Sequence, residues 1–230
     1  MNSTKITSKT PYPFYTLGEE IAHSVLHGIG ALGATAGLVL LTLKTRGILG
    51  GHRGGSLDLT AALLFTVTMI GMYLASTLYH AVRHQGAKRI LRIIDHSVIY
   101  AFIAGTYTPL CLTALKGVWG WSLLAVEWGL AIIGVTLYIL GCRFIRKMEV
   151  TIYILMGWVI AVSIVPLMHS IPVQSLVLIF AGGVVYSLGT IWYRMKNIRC
   201  THIVWHVFVL IGTACHWFSI WFMVSAGNFA

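Results

Sequence analysis

His202 and His206 stand four residues apart, and Ser76 and His80 repeat that spacing. On a helix this interval returns a side chain to the same face about one turn away. Two imidazoles so placed can reach one ion. Asp95 follows closely behind His80. Three neutral imidazoles, His80, His202 and His206, would leave a zinc ion a fourth position for water, the layout of catalytic rather than closed structural sites. Asp95 would then hydrogen-bond that water or take its proton, and Ser76 would orient His80 or donate to a developing oxyanion. A structural zinc, or a hydrogen-bonded polar cluster tying three helices together, would call on the same residues. His216 shares the sector of His202 but lies about 21 Å further along the axis, so it lines that face without joining the site.

The elements that must hold these groups are set by an unusual composition. Of 230 residues, 57% are hydrophobic and only 10% charged, with a mean hydropathy of +0.83. A soluble chain carries about 25% charged residues, so this one cannot cover a globular surface, and disorder needs the opposite mixture. Apolar stretches run over 21–43, 57–80, 93–115, 118–140, 151–169, 172–192 and 202–224, each long enough to cross a hydrocarbon core of about 30 Å. The expected fold is therefore an all-α integral membrane protein, a bundle of seven transmembrane helices. One membrane domain spans 21–224, between a short segment 1–20 and a short tail 225–230.

The formal net charge of +10 invites a nucleic-acid reading, but none of the 16 Lys and Arg lies inside an apolar stretch. They mark topology instead. Lys5, Lys9, Arg83, Lys88, Arg89, Arg92, Arg143, Arg146, Lys147, Arg194, Lys196 and Arg199 fall on one side, and Lys44, Arg46, Arg53 and Lys116 on the other. This asymmetry predicts a cytoplasmic N-terminus and an outer C-terminus. The first eighteen residues are polar with two prolines, so 21–43 reads as an uncleaved anchor rather than a signal peptide. With alternating spans, the end of the second stretch and the starts of the third and seventh share the cytoplasmic leaflet. His80, Asp95, His202 and His206 are thus expected at similar depth.

These residues carry a family resemblance. Ser76-x3-His80, Asp95 and His202-x3-His206 resemble the hemolysin III branch of the progestin and adipoQ receptor family, within a wider superfamily of membrane hydrolases. Supporting strings are Glu-Glu-Ile-Ala-x-Ser at 19–24 leading to His27-Gly-Ile-Gly, Ala-Ser-Thr-Leu-Tyr-His at 75–80, Asp95-His96-Ser97, and Ala-Gly-Thr-Tyr-Thr-Pro at 104–109. The resemblance covers about 19–224. It implies seven helices with a cytoplasmic N-terminus, zinc on His80, His202 and His206, and a water between zinc and Asp95. The superfamily includes ceramidases, so it also implies hydrolysis of a lipid amide or ester, with a membrane lipid as substrate and the bacterial inner membrane as location. Bacterial members are named for haemolysis and connected with membrane-lipid homeostasis. A non-enzymatic lipid sensor with a structural zinc is the alternative, and a haemolytic pore a more distant one.

Other polar residues in the bilayer complete the expectations, because such groups are costly there. His23 stands where the family usually has Asn; with His27 it is expected to hydrogen-bond within the cytoplasmic polar cluster, and Glu20 to cap amides, contact that cluster or face the head groups. Glu127 falls near mid-bilayer, either protonated and paired or facing a polar cavity from outside. His52, His84 and His169 are expected to face water. Gly33 and Gly37 form a small-xxx-small pair that can seat the first helix against a neighbour. Pro109, Pro166 and Pro172 sit near span ends or kink them. With no CxxC pair, the four cysteines are expected to be small apolar residues, not ligands.

Overall fold

The structure is a computed structural model that describes residues 15–50, 53–115, 117–195 and 197–226. Lys5, Lys9, His52, Lys116, Lys196 and the end of the 225–230 tail lie outside these. Among the described residues there is no strand, and seven helices are long and apolar enough to cross a membrane. They are α1 (Leu17–Thr45), α2 (Ser56–Ala81), α3 (Gln85–Leu115), α4 (Gly117–Ile139), α5 (Arg143–Ser170), α6 (Val173–Arg194) and α7 (Thr201–Ala226).

Several helices start ahead of the apolar runs, because hydropathy marks the hydrocarbon and not the hydrogen-bond ladder. α1 begins at Leu17 because Thr16 and Glu19 form a capping box: Thr16 N–H donates to Glu19 Oε2 at 2.8 Å, and Glu19 N–H donates to Thr16 Oγ1 at 3.3 Å. α3 starts at Gln85, where the exposed His84 caps it by accepting from the Ala87 N–H at 3.3 Å. α5 starts at Arg143, ahead of the run at 151, so its first turns carry Arg143, Arg146, Lys147 and the buried Glu149.

α1 buries His23, His27, Gly30, Ala34, Gly37 and Leu41, an alternating three- and four-residue spacing suited to left-handed helix packing. Its tight contacts are Gly30 against Tyr73 and Leu210, and Gly37 against the Trp217 indole. The expected Gly33–Gly37 pair is therefore corrected. Gly33 is exposed with nothing near it, because the buried stripe passes through 30, 34 and 37.

α1 packs between α2 and α7, α2 leads on to α3 and α4, and α6 packs on α7. α5 touches its neighbours far more sparsely, which leaves room inside. Two prolines shape this region. Pro109 is followed by a π-helical turn over Leu110–Leu115, and Pro166 by its position disrupts the preceding turn, which runs as a 3-10 helix over Val159–Ser163. The Tyr107 hydroxyl fills that break. It lies 2.7 Å from the Met156 carbonyl and 2.9 Å from that of Gly157, and accepts the Ile160 N–H at 2.8 Å. Pro172 precedes α6 at its N-cap.

Candidate functional site

The residues singled out by spacing meet at the end of the bundle where α1 begins. His80 enters from the last turn of α2, and His202 and His206 from the first two turns of α7. One ligand atom from each lies within 4.8 Å of the others. Ring centroids are 4.7 Å apart for His202 and His206, 5.1 Å for His80 and His206, and 5.5 Å for His80 and His202. His80 and His206 are buried, and His80 Nε2 and His206 Nδ1 have no hydrogen-bond partner among the described residues. A buried imidazole nitrogen without a partner is costly, so an ion held by these three groups fits the donor set.

His80 is held from its other side. Its Nδ1 lies 2.7 Å from Glu20 Oε2, and Lys88 Nζ lies 2.6 Å from Glu20 Oε1. Glu20 thus contacts the cluster and joins α1, α2 and α3. Neighbouring Glu19 accepts the backbone N–H of Cys200 through Oε1 at 3.1 Å, just ahead of α7. Tyr15 stacks on His202 with centroids 5.1 Å apart. Burial, aided by Tyr79 and Glu20, holds its phenol well above the usual range, so it remains a donor.

His23 and His27 depart from expectation. Both are buried within the cluster, His23 with its centroid 4.5 Å from His80 and His27 3.8 Å from His206, yet none of their four ring nitrogens has a hydrogen-bond partner among the described residues. Their neighbours are other aromatic rings: Tyr15, His80, His202 and His206 around His23, and Tyr73 and His206 around His27. Glu20, His23 and His80 also converge within 4.8 Å. The oxygens of Glu20 are already engaged by His80 and Lys88, and the ammonium would repel a cation there. The three-histidine group is the better seat.

Asp95, on α3, lines a cavity of about 170 Å³ together with Ser76, His202 and His206. Ser76 and Asp95 face the same end of this cavity. From this polar end the cavity runs between α3, α5, α6 and α7, walled by Ile99, Phe102, Ile103, Ile154 and Val209, to Trp158, Gly183 and His216. His216 is ten residues from His206 on α7, about 15 Å along its axis. As expected it lines the same interior face, far from the three histidines.

One acid escaped the sequence reading. Glu149 accepts from His96 Nδ1 at 3.0 Å and from the Tyr193 hydroxyl at 3.0 Å, tying α3, α5 and α6 beside the cavity. In sequence it follows Arg146 and Lys147 and looks like a solvated charge. Its signal was helical: Glu149, Tyr153 and Met156 share the inward face of α5. Glu127, by contrast, is fully buried, lacks a partner for either oxygen among the described residues, and lines no part of the cavity. The four cysteines are free, with Cys111 buried and Cys200 exposed.

A family model described as "Haemolysin-III related" matches residues 15–217. The chain belongs to this family. Its relatives include the "Hemolysin-3 homolog" of Bacillus subtilis (strain 168), 40% identical over 208 residues, which are 90% of this chain and 95% of the relative. "Hemolysin-3" of Bacillus cereus is 39% identical over 206 residues, 90% of this chain and 92% of the relative. "Monocyte to macrophage differentiation factor" of Homo sapiens is 26% identical over 168 residues, 70% of this chain and 68% of the relative, in keeping with the wider progestin and adipoQ receptor grouping. This haemolysin-III-related chain is a multi-pass membrane protein, and its Bacillus relatives point to the bacterial inner membrane as its setting.

Proposed function

We propose that the chain is a zinc-dependent hydrolase of a membrane lipid amide or ester, with its polar centre near the cytoplasmic face. The observation that carries this reading is the cavity, apolar along its walls and closed at one end by Asp95, Ser76, His202 and His206. An acyl chain would lie along Ile99, Phe102, Ile103 and Val209 and bring its carbonyl to the histidines. Binding sites of this kind pair mostly apolar walls with a few placed polar groups. Zinc on His80, His202 and His206 would supply Lewis acidity toward the carbonyl and make water a stronger nucleophile.

Asp95 takes the proton from the attacking water and returns it to the leaving amine or alcohol, as a general base that becomes a general acid. Ser76, which lines the same polar end, would donate to the developing oxyanion. The apolar walls keep bulk water out while the acyl chain is bound.

The test begins with metal content of purified protein by mass spectrometry. About one zinc per chain is expected, lost in the double variant His202→Ala, His206→Ala; retention there refutes the assigned ligands. Fatty-acid release from N-acyl and O-acyl lipids in reconstituted bilayers comes next. Asp95→Ala should keep its zinc and lose release. Unchanged turnover in that variant defeats the assigned chemistry, and zinc without product in the wild type favours the sensor.

A further inference from the structure

The three proposed ligands are not held alike. His202 and His206 share one helix, whose backbone fixes their spacing. His80 comes alone from α2, on a side chain whose two rotatable bonds must be set by something else. Its Nδ1 lies 2.7 Å from Glu20 Oε2, while Nε2 is buried and without a partner among the described residues. A carboxylate only accepts, so in a neutral ring the proton sits on Nδ1 and the lone pair on Nε2. That is the nitrogen left for a metal.

Glu20 is itself fixed. Lys88, from the first turn of α3, donates to its other oxygen at 2.6 Å. The rigid start of α1, with its capping box, sets its backbone. The adjacent Glu19 holds the Cys200 N–H, two residues ahead of His202. One turn of α1 therefore touches both ligand-bearing helices through consecutive acids.

We infer that Glu20 is the positioning carboxylate of the metal centre: it accepts the Nδ1 proton of His80, fixes the tautomer that presents Nε2, and makes that nitrogen a stronger donor. The inference rests on the metal reading above and adds a residue to it. Carboxylates in this role change metal affinity about 10- to 100-fold when removed.

The experiment is zinc competition against a chromophoric chelator, on purified full-length protein in nanodiscs, for wild type, Glu20→Gln and Glu20→Leu. The expected result is a graded loss: about 10- to 100-fold in Glu20→Leu, and less in Glu20→Gln, whose amide oxygen can still accept the proton. Melting of the zinc-free protein is measured alongside. A purely structural role for Glu20 would lower that melting temperature in step with affinity, and this overturns the inference. So does wild-type affinity in Glu20→Leu. Nitrogen-15 NMR of histidine-labelled, zinc-loaded wild type, with His80 identified by its loss in His80→Asn, should show Nδ1 protonated; a metal-bound Nδ1 overturns the assignment. Should Glu20→Leu fail to fold, Glu20→Gln and the NMR signal decide. If the wild type binds no zinc, the metal reading itself fails; if it binds zinc and Glu20 does not matter, only this inference does.

Discussion

Gly183 offers the sharpest test of the cavity. It lies on α6 at the end away from the histidines, and a Cβ there would sit 3.6 to 3.9 Å from the Trp158 ring, in ordinary contact. Gly183→Leu should therefore be accommodated by the backbone while its carbons occupy the seat of an acyl terminus. Each methylene kept out of the cavity forfeits about 0.8 kcal/mol. Displacing about four costs roughly 3 kcal/mol, or about a hundredfold in affinity, since 1.4 kcal/mol is a factor of ten. The loss should fall on chains long enough to reach Trp158 and spare those that stop short. The assay is quenching of cavity tryptophan fluorescence by fatty acids brominated near the terminus, in a series of chain lengths, which needs no turnover. A uniform loss across lengths, or none at all, refutes the placement of the chain.

Three further outcomes follow from the packing. Tyr107→Phe removes the hydroxyl that accepts the Ile160 N–H, leaving a buried donor without a partner; the cost is about 1–3 kcal/mol, read as a lowered melting temperature in detergent, and an unchanged value would show that another group fills the break. Gly37→Leu should drive a side chain into the Trp217 indole and destabilise the bundle, whereas Gly33→Leu, at an open position, should melt like the wild type; equal behaviour of the two rejects the packing of α1. The exposed Cys200 sits in the connection before α7, so a membrane-impermeant maleimide should label it in inside-out vesicles and not in intact spheroplasts; labelling in spheroplasts reverses the proposed orientation.

The helices and the candidate site differ in how legible they are. Solvent is written plainly in composition, so each of the seven helices coincides with an apolar stretch. Spacing likewise put His202 with His206 on one face, and alternation of spans put His80 at the same end. What spacing could not supply is the azimuth of each helix about its own axis, which is decided by neighbours. Gly33 and Gly37 are equivalent as a motif, yet only one meets α7. Glu149 sits in a basic run and reads as solvated, but a small rotation of α5 turns it onto His96 and Tyr193. For Glu20 the contacts left open by its place near the start of α1 were settled by His80 and Lys88, groups far away in the chain.

Four of the acids, Glu19, Glu20, Glu127 and Glu149, separate the two halves of the molecule. Glu19, Glu20 and Glu149 all lie at the end where α1 begins, each with a hydrogen-bond donor from a distant part of the chain. Glu127 lies in the interior of α4 with no such donor among the described residues. A carboxylate at a membrane boundary can be ionised at modest cost because donors and water are near, whereas one deep in hydrocarbon is expensive as an anion. Groups that must change charge during a reaction are therefore best placed where Asp95 is, near the boundary. The long dimension of the cavity then points inward from it, through Ile99 and Val209 toward Trp158. That is the direction in which a lipid's own chain already runs from its head group. A lipid substrate of the proposed kind, entering from the bilayer, would need little reorientation, and this relation between the polar end and the apolar length of one cavity supports a lipid over a soluble amide or ester in that proposal.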